Sequence, residues 1–175
     1  MARKQTTLAV VDDDAPVLDV ESRLTDDNHA SLKLWLRMLS CTTLIETEIR
    51  SRLRREFGIT LPRFDLMAQL DRHPQGLRMG DLSKRMMVTG GNVTGIVNLL
   101  EQEDLVVRDA VPNDGRAYSV KLTPAGRRAF KRMATAHEGW IEELMGALTG
   151  TERTALMELL STMKRGLNSP EQVQD

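Results

Sequence analysis

Residues 89 to 98, Thr-Gly-Gly-Asn-Val-Thr-Gly-Ile-Val-Asn, gather hydroxyls, carboxamides and three glycines into ten positions. Such groups make hydrogen bonds at close range. A carboxamide can pair with the edge of adenine, and a threonine can meet a thymine methyl or a phosphate. At helical spacing Gly91, Asn92, Thr94, Gly95 and Asn98 fall opposite an apolar stripe of Val93, Val97 and Leu100, continued by Ile96. On a solvated helix face Lys and Glu are expected, so a face of small and amide-bearing residues suits close approach to a partner. The alternative is that Gly90, Gly91 and Gly95 only permit a tight turn and close helix packing. Thr89 and the backbone N–H groups at the start of this helix suit a phosphate. A second pair, Asp114 and Arg116, is spaced so that the carboxylate can hold the guanidinium extended from a hairpin, as entry into a DNA minor groove requires. Arg78, Lys84, Arg85, Arg108 and Lys121 are candidate phosphate contacts, some of them ordinary solvated charges.

Other chemistry finds little support. There is no nucleophile–base constellation and no Gly-rich phosphate loop, so an enzyme is not expected. His29, His73 and His137 lie far apart without ligand spacing, and neither a metal nor a cofactor is expected. The single cysteine, Cys41, excludes an internal disulfide; beside Thr42 and Leu44 on a core helix it is expected to be buried and inert.

The elements that must position these residues follow from periodicity. Apolar residues recur every three or four positions from Ser31 until Phe57-Gly58, which predicts a long first helix. Pro62 opens a second helix with Phe64, Met67 and Leu70 on one face, and His73-Pro74-Gln75-Gly76 ends it. Met79 to Met86 is a short third helix; Val88-Thr89 then leads into a fourth, with Thr89 as N-cap. Leu105-Val106-Val107 and the alternating Tyr118, Val120 and Leu122 predict two short strands around the turn residues Pro112 to Gly115. Thr123-Pro124 starts a fifth helix reaching about Ala147, and Thr151 caps a sixth carrying Leu156, Leu159, Leu160 and Met163. The fold expected is mainly α with a small β-hairpin wing: a winged helix-turn-helix flanked by N- and C-terminal dimerisation helices.

In the wing the chain resembles the MarR family of bacterial transcription regulators, whose wing carries Asp-x-Arg followed by Leu-Thr at the next helix. The matches are Asp114, Arg116, Leu122 and Thr123, and the order of elements extends the resemblance over residues 31 to 167. The resemblance implies a two-fold homodimer whose terminal helices interdigitate, presenting two recognition helices to an inverted-repeat DNA operator. The text of the first helix also looks like that of family members that regulate aromatic-acid catabolism, some of them responsive to hydroxycinnamoyl-CoA thioesters. A peroxide-sensing role for Cys41 is not implied, because the only tyrosine, Tyr118, lies far away in the wing.

Within 175 residues the domains expected are an acidic, disordered arm at 1–30, a MarR-type domain at 31–167 and a C-terminal tail at 168–175. The central domain divides into a winged helix-turn-helix at 61–123 and dimerisation helices at 31–58 and 124–167. The net charge of −1 hides a segregation: the first thirty residues carry three Lys/Arg against seven Asp/Glu, whereas residues 31 to 169 carry 21 against 16. The folded part is therefore mildly basic, as a nucleic-acid binder can be. No apolar run reaches membrane-spanning length and the N-terminus has no signal pattern, so a cytoplasmic location is expected.

The function expected is a ligand-responsive DNA-binding regulator, a repressor of an aromatic-acid catabolic operon released by a small aromatic acid or its CoA thioester. Trp35, Met38, Leu39, Met67 and Leu70 are expected to line the effector pocket, with Arg37 or Arg63 for an acid or phosphate group. The rivals are a DNA-binding or architectural protein without an effector, and a winged helix that binds protein.

Overall fold

The structure is a computed structural model that describes residues 29–111 and 114–168. They fall into two compact units that divide after Glu46. Helix α1 spans Ala30–Phe57. Gly58 stops it at φ +65, and the N–H groups of Gly58 and Ile59 close on the carbonyls of Arg54 and Leu53 at 3.1 and 3.3 Å. The remaining elements are α2 (Leu61–Asp71), β1 (Leu77–Arg78), α3 (Met79–Met86), α4 (Gly90–Gln102), β2 (Val106–Val111), β3 (Asp114–Leu122), α5 (Pro124–Leu144) and α6 (Gly150–Leu167). Among the described residues no helix is long and apolar enough to cross a membrane.

Three antiparallel strands form the sheet in the order β1-β3-β2, one more than the hairpin expected. The added strand, β1, has only two residues, too few to show any alternation, and it is held by pairing Leu77 with Val120 and Arg78 with Ser119. Gly76 precedes it at φ +93, and a Cβ there would lie 2.9 Å from the Val120 carbonyl oxygen, so only glycine lets β1 close on β3. β3 begins at Asp114, opposite Val111. Asp114 and Gly115 therefore belong to the strand backbone rather than to the turn expected from their residue types.

Two other boundaries also differ from expectation. α5 ends at Leu144, before Ala147. Thr149, not Thr151, caps α6: its hydroxyl accepts the Glu152 N–H while the Glu152 carboxylate accepts the Thr149 N–H at 2.8 Å. This reciprocal box outcompetes a lone threonine two positions later. Cys41 is exposed, not buried, because it lies off the apolar stripe of α1.

In the 47–175 unit the core is aliphatic, with Leu53, Leu66, Met67, Leu70, Leu82, Val93, Val97, Leu100 and Val120 fully enclosed. Aromatic rings extend it along α5: Phe64 lies 5.5 Å from Phe130 and 5.0 Å from His137, and Phe57 lies 6.1 Å from Trp140. Arg52 ties α1 to the end of α5 through a two-pronged bond to Glu143 at 2.6 and 3.0 Å, with Glu48 accepting from its Nε. The arrangement raises the Arg52 pKa, chiefly through Glu143, and lowers that of Glu143 through the guanidinium.

Candidate nucleic-acid interface

The unit that would meet DNA is built on α3, the turn after it and α4. Met87 leaves α3 in the left-handed conformation at φ 54, so a β-carbon is tolerated there at some cost. The turn is secured by the Ser83 hydroxyl, which donates to the Val88 carbonyl at 2.6 Å. Val93, Val97 and Leu100 bury one stripe of α4 completely. That stripe forces the opposite face outward, and Thr89, Gly91, Asn92, Thr94, Gly95 and Asn98 are all exposed.

The glycines bear on the packing reading of this face. A Cβ added at Gly90, Gly91 or Gly95 would meet nothing within 4 Å. Helix packing inside the described chain therefore does not require them, although each glycine in a helix interior costs roughly 0.5–1 kcal/mol relative to alanine. Thr89 stands at the N-cap position of α4 with its hydroxyl making no cap bond, beside the first N–H groups of the helix.

Not every candidate on this surface is equally available. Thr94 donates to the Gly90 carbonyl at 3.0 Å, a bond within its own helix. The Asn98 carboxamide oxygen accepts from Arg108, which also donates to Glu101 at 2.6 Å. Asn98 and Arg108 thus brace α4 against β2, a role that sequence reading of Asn98 as a base contact and Arg108 as a phosphate contact missed. The signal lay in Glu101 and Asn98, three apart on the face toward the strand. Lys121 pairs with Asp109 at 2.5 Å across the ladder, a half-exposed contact of small worth. Lys84 and Arg85 stand exposed at the end of α3. The side chains of Asp114 and Arg116 lie outside the described residues, as does the arm up to residue 28.

The wing meets α5 at a crowded point. The Thr123 hydroxyl accepts the Gly126 N–H at 2.9 Å and lies 2.6 Å from the Asp104 carbonyl oxygen, while its backbone N–H donates to Leu105 at 3.1 Å. A Cβ at Gly126 would sit 1.9 Å from that Leu105 oxygen.

The residues expected to line an effector pocket separate. Met67 and Leu70 have no accessible surface, because their three-residue spacing puts them on the core stripe of α2. Neither lines the cleft on the other face of α2. Arg63 pairs with Glu103 and buries its Nε without a partner. Trp35 and Leu39 are 57% and 47% exposed on α1, where Arg37 and Met38 also stand. A cleft of about 430 Å³ opens along another face of α2, lined by Phe64, Gln69, Arg72, Arg85, Val88 and His137 among others. His137, which sequence reading did not place beside any cleft, lines this one; burial holds its imidazole pKa below the ordinary value.

A helix pair with one small-residue face turned outward, followed by the β2–β3 hairpin of a three-stranded sheet, defines a winged helix-turn-helix protein. The sequence model of the MarR family matches residues 57–117. A MarR family transcriptional regulator from Silicibacter pomeroyi has 34% sequence identity, with a TM-score of 0.70 over 83% of this chain and all of that one. The chain belongs to the MarR family of transcriptional regulators. A putative transcriptional regulatory protein for the hcr operon of Thauera aromatica is 31% identical over 108 residues, covering 62% of this chain and 64% of that protein. Sco3205 of Streptomyces coelicolor, a MarR family regulator solved in complex with DNA, shares 25% identity at a TM-score of 0.70, covering 83% of this chain and 92% of that one.

Proposed function

We propose that the chain is a homodimeric regulator that places α4 in the major groove of an inverted-repeat operator. The observation that carries this reading is the exposed α4 face, where glycines stand with open space beyond them. Asn92 and Thr94 read base edges, Thr89, Lys84 and Arg85 hold phosphates, and Arg116 enters the minor groove from the wing. Asn98 supports the helix through Arg108 and offers its amide N–H groups to the DNA. The Streptomyces relative solved with DNA supports the same use of the fold.

The dimer follows from α6, where no residue is buried and Leu156, Leu159, Leu160 and Met163 form an uncovered apolar stripe. Leu32, Leu34, Trp35 and Leu39 do the same on α1. A second copy removes both from water.

The regulator is a repressor of an aromatic-acid catabolic operon, released by a small aromatic acid or its CoA thioester. The cleft beside α2 supports this: the tilted rings of Phe64 and His137, with centroids 5.0 Å apart, line it, and Arg72 and Arg85, against the single carboxylate of Asp65, suit an acid group. Arg85, Met86 and Val88 come from the turn before α4, so a ligand seated there presses on the segment that positions the DNA-reading face. Gel-shift titration with 4-hydroxycinnamate and its CoA thioester tests the reading. Release of operator at micromolar ligand supports it, and DNA binding indifferent to both leaves a regulator without this effector class.

A further inference from the structure

We infer that Arg63 is a positioning residue for DNA recognition: by holding Glu103 it fixes the angle at which α4 leaves the core. The inference rests on α4 being the reading helix, as proposed above. Arg63, in the first turn of α2, donates through Nη2 to the carboxylate of Glu103, the C-cap residue of α4. Its side chain is only 11% exposed, and its Nε is enclosed with no partner among the described residues. As a source of stability such a pair is weak. Glu103 is 52% exposed, so water screens the attraction, while the enclosed N–H loses its hydration and gains no bond. An unpaired buried group of this kind calls for another reason.

The way α4 is held supplies that reason. Val93, Val97 and Leu100 are fully enclosed, but apolar contact is non-directional and leaves the tilt of a helix soft. Directional bonds gather at the far end: Arg108 from β2 donates to Asn98 and Glu101, the Thr123 hydroxyl donates to the Asp104 carbonyl, and Arg63 from α2 holds Glu103. Among the described residues the reading end, Thr89 to Gly95, has no side-chain bond to another element. Thr89 makes no cap bond, and the Thr94 hydroxyl goes to the Gly90 carbonyl of its own helix. Added Cβ atoms at Gly90, Gly91 and Gly95 would meet nothing within 4 Å. α4 is thus a lever held at its C-terminal end. From Glu103 back to Asn92 is about 16 Å of helix, so a tilt of about 10° at the clamp moves Asn92 by about 3 Å. Hydrogen bonds to a base edge tolerate only a few tenths of an ångström. A tilt of that size abolishes base reading, whereas phosphate contacts made by long side chains such as Lys84 and Arg85 on α3 survive it. Pro62 and Phe64, on either side of Arg63, line the cleft beside α2, so the same strut ties the position of α2 to that of α4.

Selection of duplexes from a random library with the full-length wild-type protein, followed by titration of the enriched duplex and a shuffled duplex at fixed salt, well below the melting range, tests this. Met keeps the stem of Arg63 and removes both the charge and the orphan N–H, so Arg63→Met should melt at or above the wild-type temperature. Its preference for the enriched over the shuffled duplex should nevertheless fall by roughly tenfold or more, the discrimination one base contact supplies, with shuffled-duplex affinity unchanged. Arg63→Lys places a methylene at the Nε position and keeps a cation within reach of Glu103, so it should retain the preference to within about threefold. Glu103→Ala removes the other end of the strut and should repeat the loss, which decides the matter should Arg63→Met fail to fold. Arg127→Gln breaks the contact of α5 with Asp71 on α2 without touching α4, and should leave the preference unchanged. Wild-type preference in Arg63→Met together with its loss in Asn92→Ala overturns the strut and leaves α4 as the reading helix. No effect of Asn92→Ala takes α4 out of the interface and the strut with it. A lower melting temperature with preference intact, or equal losses on both duplexes, assigns the pair to the fold alone and likewise overturns the proposal.

Discussion

Gly95 is the residue at which the proposed function and the stability of the fold make opposite demands. Its position on α4 is open beyond 4 Å, so alanine should stabilise the chain by about 0.5–1 kcal/mol through reduced backbone freedom. Leucine at the same position should leave melting nearly unchanged yet weaken DNA binding sharply, because its bulk would meet the groove floor. Thermal melts and gel shifts on the two variants check both halves, and a Gly95→Leu protein that binds DNA normally would take α4 out of the interface. Asn92→Ala should cost roughly 1–3 kcal/mol of discrimination between operator and random DNA while leaving nonspecific affinity in place. His137 makes a second residue-scale prediction. Its pKa is lower in the folded chain than in the unfolded one, so the unfolded chain takes up the proton more readily. Stability is therefore complete above the unfolded value of about 6.5 and declines as pH falls below it toward the folded value. Melting temperature followed from pH 7.5 to 5 should show this decline, and His137→Gln should reduce it. What composition and spacing revealed was the α4 face, because small and amide residues opposite Val93 and Val97 are legible in one dimension. His137 was not, since its rings and cleft come from α2 and α5, more than seventy residues apart in sequence.

At the scale of elements the junction of wing and α5 carries the clearest demand. Gly126 lies so close to the Leu105 carbonyl that alanine must push α5 or β2 aside. Gly126→Ala should destabilise the fold by about 1–3 kcal/mol, the usual range for overpacking, read as a drop in melting temperature. The Arg52–Glu143 bond predicts a different pH window from His137. Glu143 has a lowered pKa when folded, so the stability it contributes is present above the unfolded value near 4.5 and lost as pH falls through the folded one. Arg52→Gln should lower the melting temperature at pH 7 and shrink that acid loss; an unchanged acid limb would show the bond to be idle. The helices were legible because their apolar residues repeat every three or four positions and Thr89, Pro62 and Thr123 mark their starts. β1 was not, because two residues hold no period and owe their pairing to β3, and the α6 cap was misplaced because Thr149 and Thr151 differ only in having Glu152 at the right distance. The bracing role of Asn98 was hidden for a related reason: nothing local to α4 announces that Arg108, on the next strand, will take its carbonyl.

At the scale of the whole molecule the account requires a two-fold assembly, since α6 buries nothing and shows four large apolar residues in a stripe. Leu159→Glu with Leu160→Glu should convert the dimer to monomer in sedimentation and weaken operator binding at least tenfold, because each half-site then binds without the other. Retention of a dimer would place the two-fold contact elsewhere. The central claim, that two copies of the α4 face read one DNA duplex, is met most directly by in vitro selection of duplexes from a random library with the full-length protein. The account predicts enrichment of an inverted repeat whose half-sites are centred about 10 bp, or a multiple of one helical turn, apart, with the repeat degraded at defined positions when Asn92→Ala protein is used. A library that shows no enrichment, or that yields a single asymmetric site unchanged by Asn92→Ala, would contradict it.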